Sequence, residues 1–147
     1  MRGTIKSDDV KSVLLQEELD HINLYLDIEK VRFGHRLQTV IDIDEEALEL
    51  SIPPLLLQPL MENAIKFGLY GTTDDVLMEL KASAVNNTLQ VQISNPFDKD
   101  VNTQAGTGFG LSSIERRLNL IFNRNDLLSI NKEAATFTAT IKIPQLK

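Results

Sequence analysis

The sequence has no cysteine and no tryptophan. The first absence excludes a thiolate nucleophile, a zinc-thiolate or iron–sulfur site and a disulfide framework, and it accords with a reducing compartment. The second, with two Tyr and six Phe in 147 residues, leaves base-stacking platforms poorly supplied. Positive charge is also scarce: 15 Lys and Arg stand against 21 Asp and Glu, a formal net charge of −6. Nucleic-acid binding needs clustered cations, and here they are scattered, so no nucleic-acid partner is expected. Long apolar runs are missing too. The most apolar stretch, Ile52 to Met61, is broken by Gln58 and falls far short of the ~20 residues a bilayer requires. The opening Met1-Arg2-Gly3-Thr4-Ile5-Lys6 lacks the apolar centre of a secretory signal, so the sequence reads as cytoplasmic, with no direct membrane contact.

What remains suits one compact domain. Hydrophobic residues make up 42% and charged residues 24%, which excludes disorder and collagen-like or coiled-coil composition. A chain of this length buries roughly 68–70% of its unfolded surface and needs no covalent staple. Leu15, Leu19, Ile22 and Leu26 recur at helical spacing, with Leu24, Ile28 and Val31 widening the stripe, so a helix is expected over 15–33, stopped by Gly34. Its start is weakly marked by Ser12. Leu37 to Ile43 reads as a strand, and the acidic stretch Asp42 to Glu49 as a solvated connection. Pro53-Pro54 is expected to open a second helix to about Gly68, with Pro59 either a later start or a kink. Past Gly71-Thr72-Thr73, the alternation at 76–83 and 89–94 around Asn86-Asn87 predicts a β-hairpin. A loop from Pro96 delivers Gly106-Thr107-Gly108-Phe109-Gly110 to a third helix carrying Leu111, Ile114, Leu118 and Ile121, with Arg116 and Arg117 on its polar side. Strands at 128–130 and 136–143 follow. One-sided strands and three helices imply an α/β, two-layer sandwich: a mixed, mainly antiparallel sheet covered on one face.

Two features exceed what packing needs. In Glu62-Asn63-Ala64-Ile65-Lys66-Phe67-Gly68, Asn63, Lys66 and Phe67 share one helical arc with Pro59, while Leu57, Leu60, Met61, Ala64 and Ile65 cover the core side. An amide oxygen beside an ammonium suits a nucleotide-bound Mg²⁺, which takes hard oxygen ligands and keeps waters and phosphates as the remainder; an ordinary amphipathic helix with a wet polar side would look the same. The glycine cluster running into a helix lets the backbone approach phosphate oxygens at a helix N-terminus, yet it lacks the Rossmann context and the P-loop ending, and a hinge would also use it.

Together the two features are specific. Ile52 to Gly68, reading IPPLLLQPLMENAIKFG, resembles the N box of LytS-type sensor histidine kinases, and Gly106 to Arg117, reading GTGFGLSSIERR, resembles their G2 box. Glu17 to Phe33 resembles the helix that precedes the N box in that family. The resemblance implies the Bergerat ATP-binding fold over 11–147, with 1–10 a remnant of an upstream helical region. It implies ATP and Mg²⁺ as cofactors, Asn63 as the Mg²⁺ ligand between phosphates, Lys66 on those phosphates and Phe67 at the pocket wall, where the family has His. Glu62 precedes the Mg²⁺-binding Asn as in the family. Gly106, Thr107, Gly108, Phe109, Gly110 and Leu111 correspond to the phosphate-contacting end of an ATP lid spanning Pro96 to Ala105.

Besides Phe67, the chain departs from the family at two places. Where the superfamily carries an Asp and glycines for adenine, this sequence reads Ile93-Ser94-Asn95-Pro96-Phe97, so Asn95 offers an amide oxygen as the acceptor. The phosphoacceptor motif is missing: His21 lies on the first helix and His35 at its end, neither in the family's Asn-Pro-His-Phe context. The resemblance therefore implies a catalytic portion that positions MgATP for transfer to a His on a separate segment of a parent kinase, itself a homodimer anchored in the inner membrane, with a response regulator downstream. The alternative is a degenerate, non-catalytic interaction module of the same fold; an ATPase or serine kinase of the superfamily is a third reading.

Overall fold

In a computed structural model the chain is described over residues 12–69, 75–96, 104–133 and 136–145, with backbone alone at 67–69 and 104–110. The proposed upstream remnant (1–10), Gly71-Thr72-Thr73 and positions 97–103 of the expected lid lie outside the described residues.

A short strand β1 (Val13–Leu14) leads into α1 (Leu15–Phe33). Ser12 does not cap this helix. Its N-cap is Leu14, whose N–H donates to the Glu17 carboxylate at 3.0 Å. Gly34 ends it at φ +63°, ψ −143°, its N–H returning to the Lys30 carbonyl. Leu15, Leu19, Ile22 and Leu26 are buried as expected, but Leu24, Ile28 and Val31 are exposed by 63%, 68% and 88%. At about 100° per residue these three fall on the side of the helix opposite Ile22 and Leu26, so α1 has two apolar stripes and buries one.

After a 3₁₀ turn comes β2 (Leu37–Ile43). The stretch expected to be a solvated connection instead holds α2 (Glu45–Leu48) and β3 (Ser51–Ile52), which pairs antiparallel with β1. Ala47 is fully buried and Leu48 and Leu50 pack on the core, so the acidic residues line the outside of an anchored segment. Pro53-Pro54 does not open the next helix: the chain turns through Leu55, at φ +59°, and α3 runs from Leu57 to Leu69 (Leu57–Leu69). Pro59 falls in the first turn, where its missing N–H has no intrahelical role.

The hairpin of β4 (Val76–Val85) and β5 (Thr88–Pro96) turns at Asn86 and Asn87, with φ +52° and +61°. Two consecutive positive φ values match the right-handed strand twist, and Asn tolerates them better than most residues. Then follow α4 (Gln104–Phe122), β6 (Leu128–Glu133) and β7 (Thr136–Pro144).

The main sheet runs β2-β4-β5-β7-β6, with β2 parallel to β4 and every other pair antiparallel. Its buried face is built by the expected alternation: Met78, Leu80 and Ala82, then Leu89, Val91 and Ile93, then Ala139, Ile141 and Ile143. Helices α1, α3 and α4 supply the facing side chains, chiefly Ile22, Leu26, Leu57, Met61, Ile114 and Leu118. Fully burying each such side chain contributes about 1.5–3 kcal/mol. The two-layer sandwich with a mixed, mainly antiparallel sheet is therefore the architecture expected from the sequence. Gln145 ties the end of this core to its beginning. Its side chain accepts from Ser51 N–H at 2.8 Å and donates to Ser51 O at 3.0 Å, while its backbone N–H donates to Asn87 O at 3.1 Å.

Candidate functional site

α3 packs against β5, α4 and α1. Its core stripe, Leu57, Leu60, Met61, Ala64 and Ile65, is buried, as the helical spacing predicts. The polar arc is more instructive. Asn63 is only 8% exposed, so its carboxamide sits at the margin of the packed layer and not out in water. Lys66, three residues on, is exposed. Glu62 is exposed as well and accepts a hydrogen bond from Gln58 Nε2 at 3.3 Å, one turn earlier along the outer face. The Phe67 side chain lies outside the described residues.

Asn95 ends the buried row of β5, opposite Phe137 of β7. Its side chain is 1% exposed, an unusual place for a carboxamide. Nδ2 donates to the Pro96 carbonyl at 2.8 Å, which fixes the amide plane, and Oδ1 is buried with no hydrogen-bond partner among the described residues. A buried acceptor left unpaired costs about 1–3 kcal/mol, and such atoms call for an explanation in a stable fold. An N–H donor brought by a ligand would supply one.

The glycine cluster differs from expectation. α4 begins at Gln104, so Gly106, Thr107, Gly108, Phe109 and Gly110 lie within its first two turns and not in a loop ahead of it. Each added helical residue gains a backbone hydrogen bond, which here offsets the roughly 1 kcal/mol that each glycine costs a helix. Only the first four N–H groups of a helix, counted from its N-cap, lack intrahelical acceptors, so Gly106 falls among them while Thr107, Gly108 and Gly110 face the i−4 carbonyls. The side chains of Thr107 and Phe109 are outside the described residues. Leu111 is buried in the core and, with Ser112, Glu115, Leu128, Ile130, Lys132 and Phe137, lines a groove of about 540 Å³ between α4 and the β6 edge. Neither Asn63, Lys66 nor Asn95 is among the residues that line that groove, so the groove does not join Leu111 to them.

Two contributors escaped the sequence reading. Glu18, 2% exposed on the core stripe of α1, accepts from Leu55 N–H and Leu57 N–H, both at 3.1 Å. Arg117, placed by spacing on the polar side of α4, donates to Leu55 O at 3.2 Å and Pro54 O at 3.1 Å. Glu18 carried a readable signal, since it falls at i+3 from Leu15 and i−4 from Ile22, where an apolar residue belongs. Arg117 carried none.

Titration is displaced, among the described residues, on the exposed loop after α4. There a mutual hydrogen bond of 2.9 Å raises the Arg124 guanidinium and lowers the Asp126 carboxylate. Among the described residues no three His, Asp or Glu side chains gather as a metal cage. A hard cation here would have Asn63's amide oxygen from the protein and would draw its other ligands from phosphate and water, which is how Mg²⁺ is commonly held. No helix among the described residues is long and apolar enough to cross a membrane.

Comparison with known proteins gives a consistent picture. A family model described as histidine kinase matches residues 1–37. The sensor histidine kinase BtsS of Escherichia coli K12 is 32% identical over 133 residues, 90% of this chain and 24% of that protein. The sensor protein LytS of Oceanobacillus iheyensis is 28% identical over 144 residues, 88% of this chain and 25% of that protein. The chain thus spans about a quarter of the length of the curated relatives it matches. Among solved structures, the catalytic domain of histidine kinase ThkA superposes with a TM-score of 0.68 at 13% identity, covering 92% of this chain and 97% of that one. ThkA also matches in its complex with the response regulator TrrA, with a TM-score of 0.62.

Proposed function

Starting from a chain whose homologues are sensor histidine kinases, LytS proteins among them, and whose fold is that of histidine-kinase catalytic domains, we propose that it is the ATP-binding catalytic portion of a two-component sensor kinase, a transferase that positions MgATP for phosphoryl transfer to histidine. The domain assignment goes with this reading: 11–147 as the ATP-binding unit and 1–10 as the end of an upstream helical region.

The single observation that carries the reading to the level of residues is the buried, unpartnered oxygen of Asn95 at the end of β5. It is an acceptor waiting for a donor, as an adenine amino group would be. Asn63 supplies an amide oxygen and Lys66 a positive charge from one arc of α3, which suits the phosphate end. Bound Mg²⁺ would neutralise phosphate charge and orient the γ-phosphoryl. The free N–H groups at the start of α4, that of Gly106 among them, add donors. In this chemistry the protein contributes chiefly positioning and charge stabilisation. Glu62, exposed and bonded to Gln58, has no developed role in binding. Neither His21 nor His35, both exposed, sits in a phosphoacceptor context. The acceptor is a histidine on another segment of a homodimeric parent, whose partner is a response regulator and whose site of work is the cytoplasmic side of the inner membrane.

The test is direct. A separate helical segment carrying the acceptor His should become labelled from γ-labelled ATP in the presence of the chain and Mg²⁺. Asn63→Ala should abolish that labelling, and undiminished labelling would contradict the assignment. A degenerate interaction module is the second reading, favoured by β5 continuing through Pro96, paired with Thr136, where the superfamily has glycines. Absence of ATP binding at millimolar concentration would select it.

A further inference from the structure

Glu18 and Arg117 are charged groups that the nucleotide site as described does not use, and both act on one turn. The two Glu18 oxygens take separate partners, Oε1 accepting from Leu55 N–H and Oε2 from Leu57 N–H at 3.1 Å each. Arg117 Nη1 and Nη2 donate to the carbonyls of Leu55 and Pro54 at 3.2 and 3.1 Å. Four hydrogen bonds with a charged partner thus converge on the Pro54–Leu57 backbone, at a Leu held at φ +59°. Bonds of this kind are roughly twice as strong as neutral ones.

The connectivity gives the arrangement its meaning. Leu57 is the first residue of α3, so its N–H has no acceptor within the helix and Glu18 supplies one. Asn63 and Lys66 follow on the same helix within three turns. Arg117 lies two turns beyond Gly110 on α4, and Glu18 lies one turn into α1. The helix that carries the phosphate-side groups is therefore registered, at its N-terminus, against the glycine-bearing helix on one side and the N-terminal helix on the other. Asn95 stands apart on β5, anchored through the sheet.

We propose that Glu18 and Arg117 are positioning residues that clamp the Pro54–Leu57 turn and so set the Mg²⁺-dependent part of nucleotide affinity, making α1 a place from which that affinity is controlled. The proposal rests on the reading of Asn63 and Asn95 above. A buried carboxylate adds little net stability compared with apolar packing, so its value here is geometric.

The experiment titrates ATP against the chain with Mg²⁺ and with chelator, for the wild type, Arg117→Ala, Arg117→Lys, Glu18→Gln and the double variant Glu18→Gln/Arg117→Ala. The readout is the ratio of the two affinities. Arg117→Ala and Glu18→Gln should each shrink that ratio by about tenfold, in line with loss of charged hydrogen bonds, while affinity in chelator stays within about twofold because Asn95 is untouched. Arg117→Lys should recover part of the ratio, and the double variant should lose little more than either single one. An unchanged ratio in Arg117→Ala, or equal loss with and without Mg²⁺, overturns the proposal. Amide hydrogen exchange on nucleotide-free Arg117→Lys and Arg117→Ala gives the independent arm: faster exchange at Leu55 and Leu57 with protection kept at Ile93 supports the clamp, and unchanged exchange overturns it. A wild type that binds no nucleotide, with that exchange pattern intact, overturns the nucleotide reading and the control ascribed to α1 with it, leaving the clamp as a measured feature of the turn.

Discussion

A buried carboxamide oxygen without a partner costs about 1–3 kcal/mol, and Asn95 carries that cost beside Phe137. Replacing it with an apolar group of similar size removes the unpaired acceptor along with the Nδ2 bond to Pro96, so Asn95→Leu should raise the stability of the ligand-free chain by about 1 kcal/mol in urea denaturation. The same change should weaken ATP binding in calorimetric titration; a variant that gains stability and keeps its affinity would remove Asn95 from the site. Gly34 poses the opposite case. A Cβ there meets nothing within 4 Å, so space is not the constraint. The backbone at φ +63°, ψ −143° is a region that only glycine adopts readily. Gly34→Ala should therefore cost about 1–3 kcal/mol, entirely as backbone strain, with the core unchanged by spectroscopy.

At the scale of elements, α1 separates two kinds of apolar residue. Ile22, 1% exposed, should cost about 2–5 kcal/mol when cut to Ala. Leu24, Ile28 and Val31, changed one at a time to Gln, should shift thermal unfolding by no more than about 0.5 kcal/mol. This contrast also marks how far the sequence was legible. Periodicity placed α1 at 15–33, the β4–β5 hairpin and the alternation of β7 correctly, because each buries one face and period alone encodes that. It could not tell which of the two stripes of α1 faces inward, since both are apolar. The start of α3 was misplaced because Pro53-Pro54 and Pro59 are equally good openers, and the choice was made by Glu18 and Arg117, 39 and 60 residues away from Leu57 along the chain. For the proposed site, the place of Asn63 on the polar arc of α3 was legible from helical spacing. That Asn95 is buried and fixed by Pro96 was not, because hydrogen bonding to the next residue leaves no periodic trace.

For the whole molecule, the acidic balance of −6 means that a polyanionic ligand must be met by few positive groups. If ATP binds with Mg²⁺, a concentration one hundred times Kd should stabilise the fold by about 2.7 kcal/mol, and a chelator should remove most of that gain. Scanning calorimetry at several ATP concentrations checks it, and a melting temperature independent of ATP would point to the non-catalytic alternative. The fold class was readable at this scale, since one-sided strands and three helices leave few ways to pack. The link from Gln145 back to Ser51 was not. Gln145 bonds Ser51 across 94 positions and Asn87 across the hairpin turn. During synthesis, therefore, the β1–β3 ribbon, though translated early, cannot close its hydrogen bonds to Gln145 until a residue 94 positions after Ser51 has been made. A chain released short of Gln145 would leave the Ser51 amide and carbonyl without those partners, so an early-made ribbon depends on a late-made side chain for its closure.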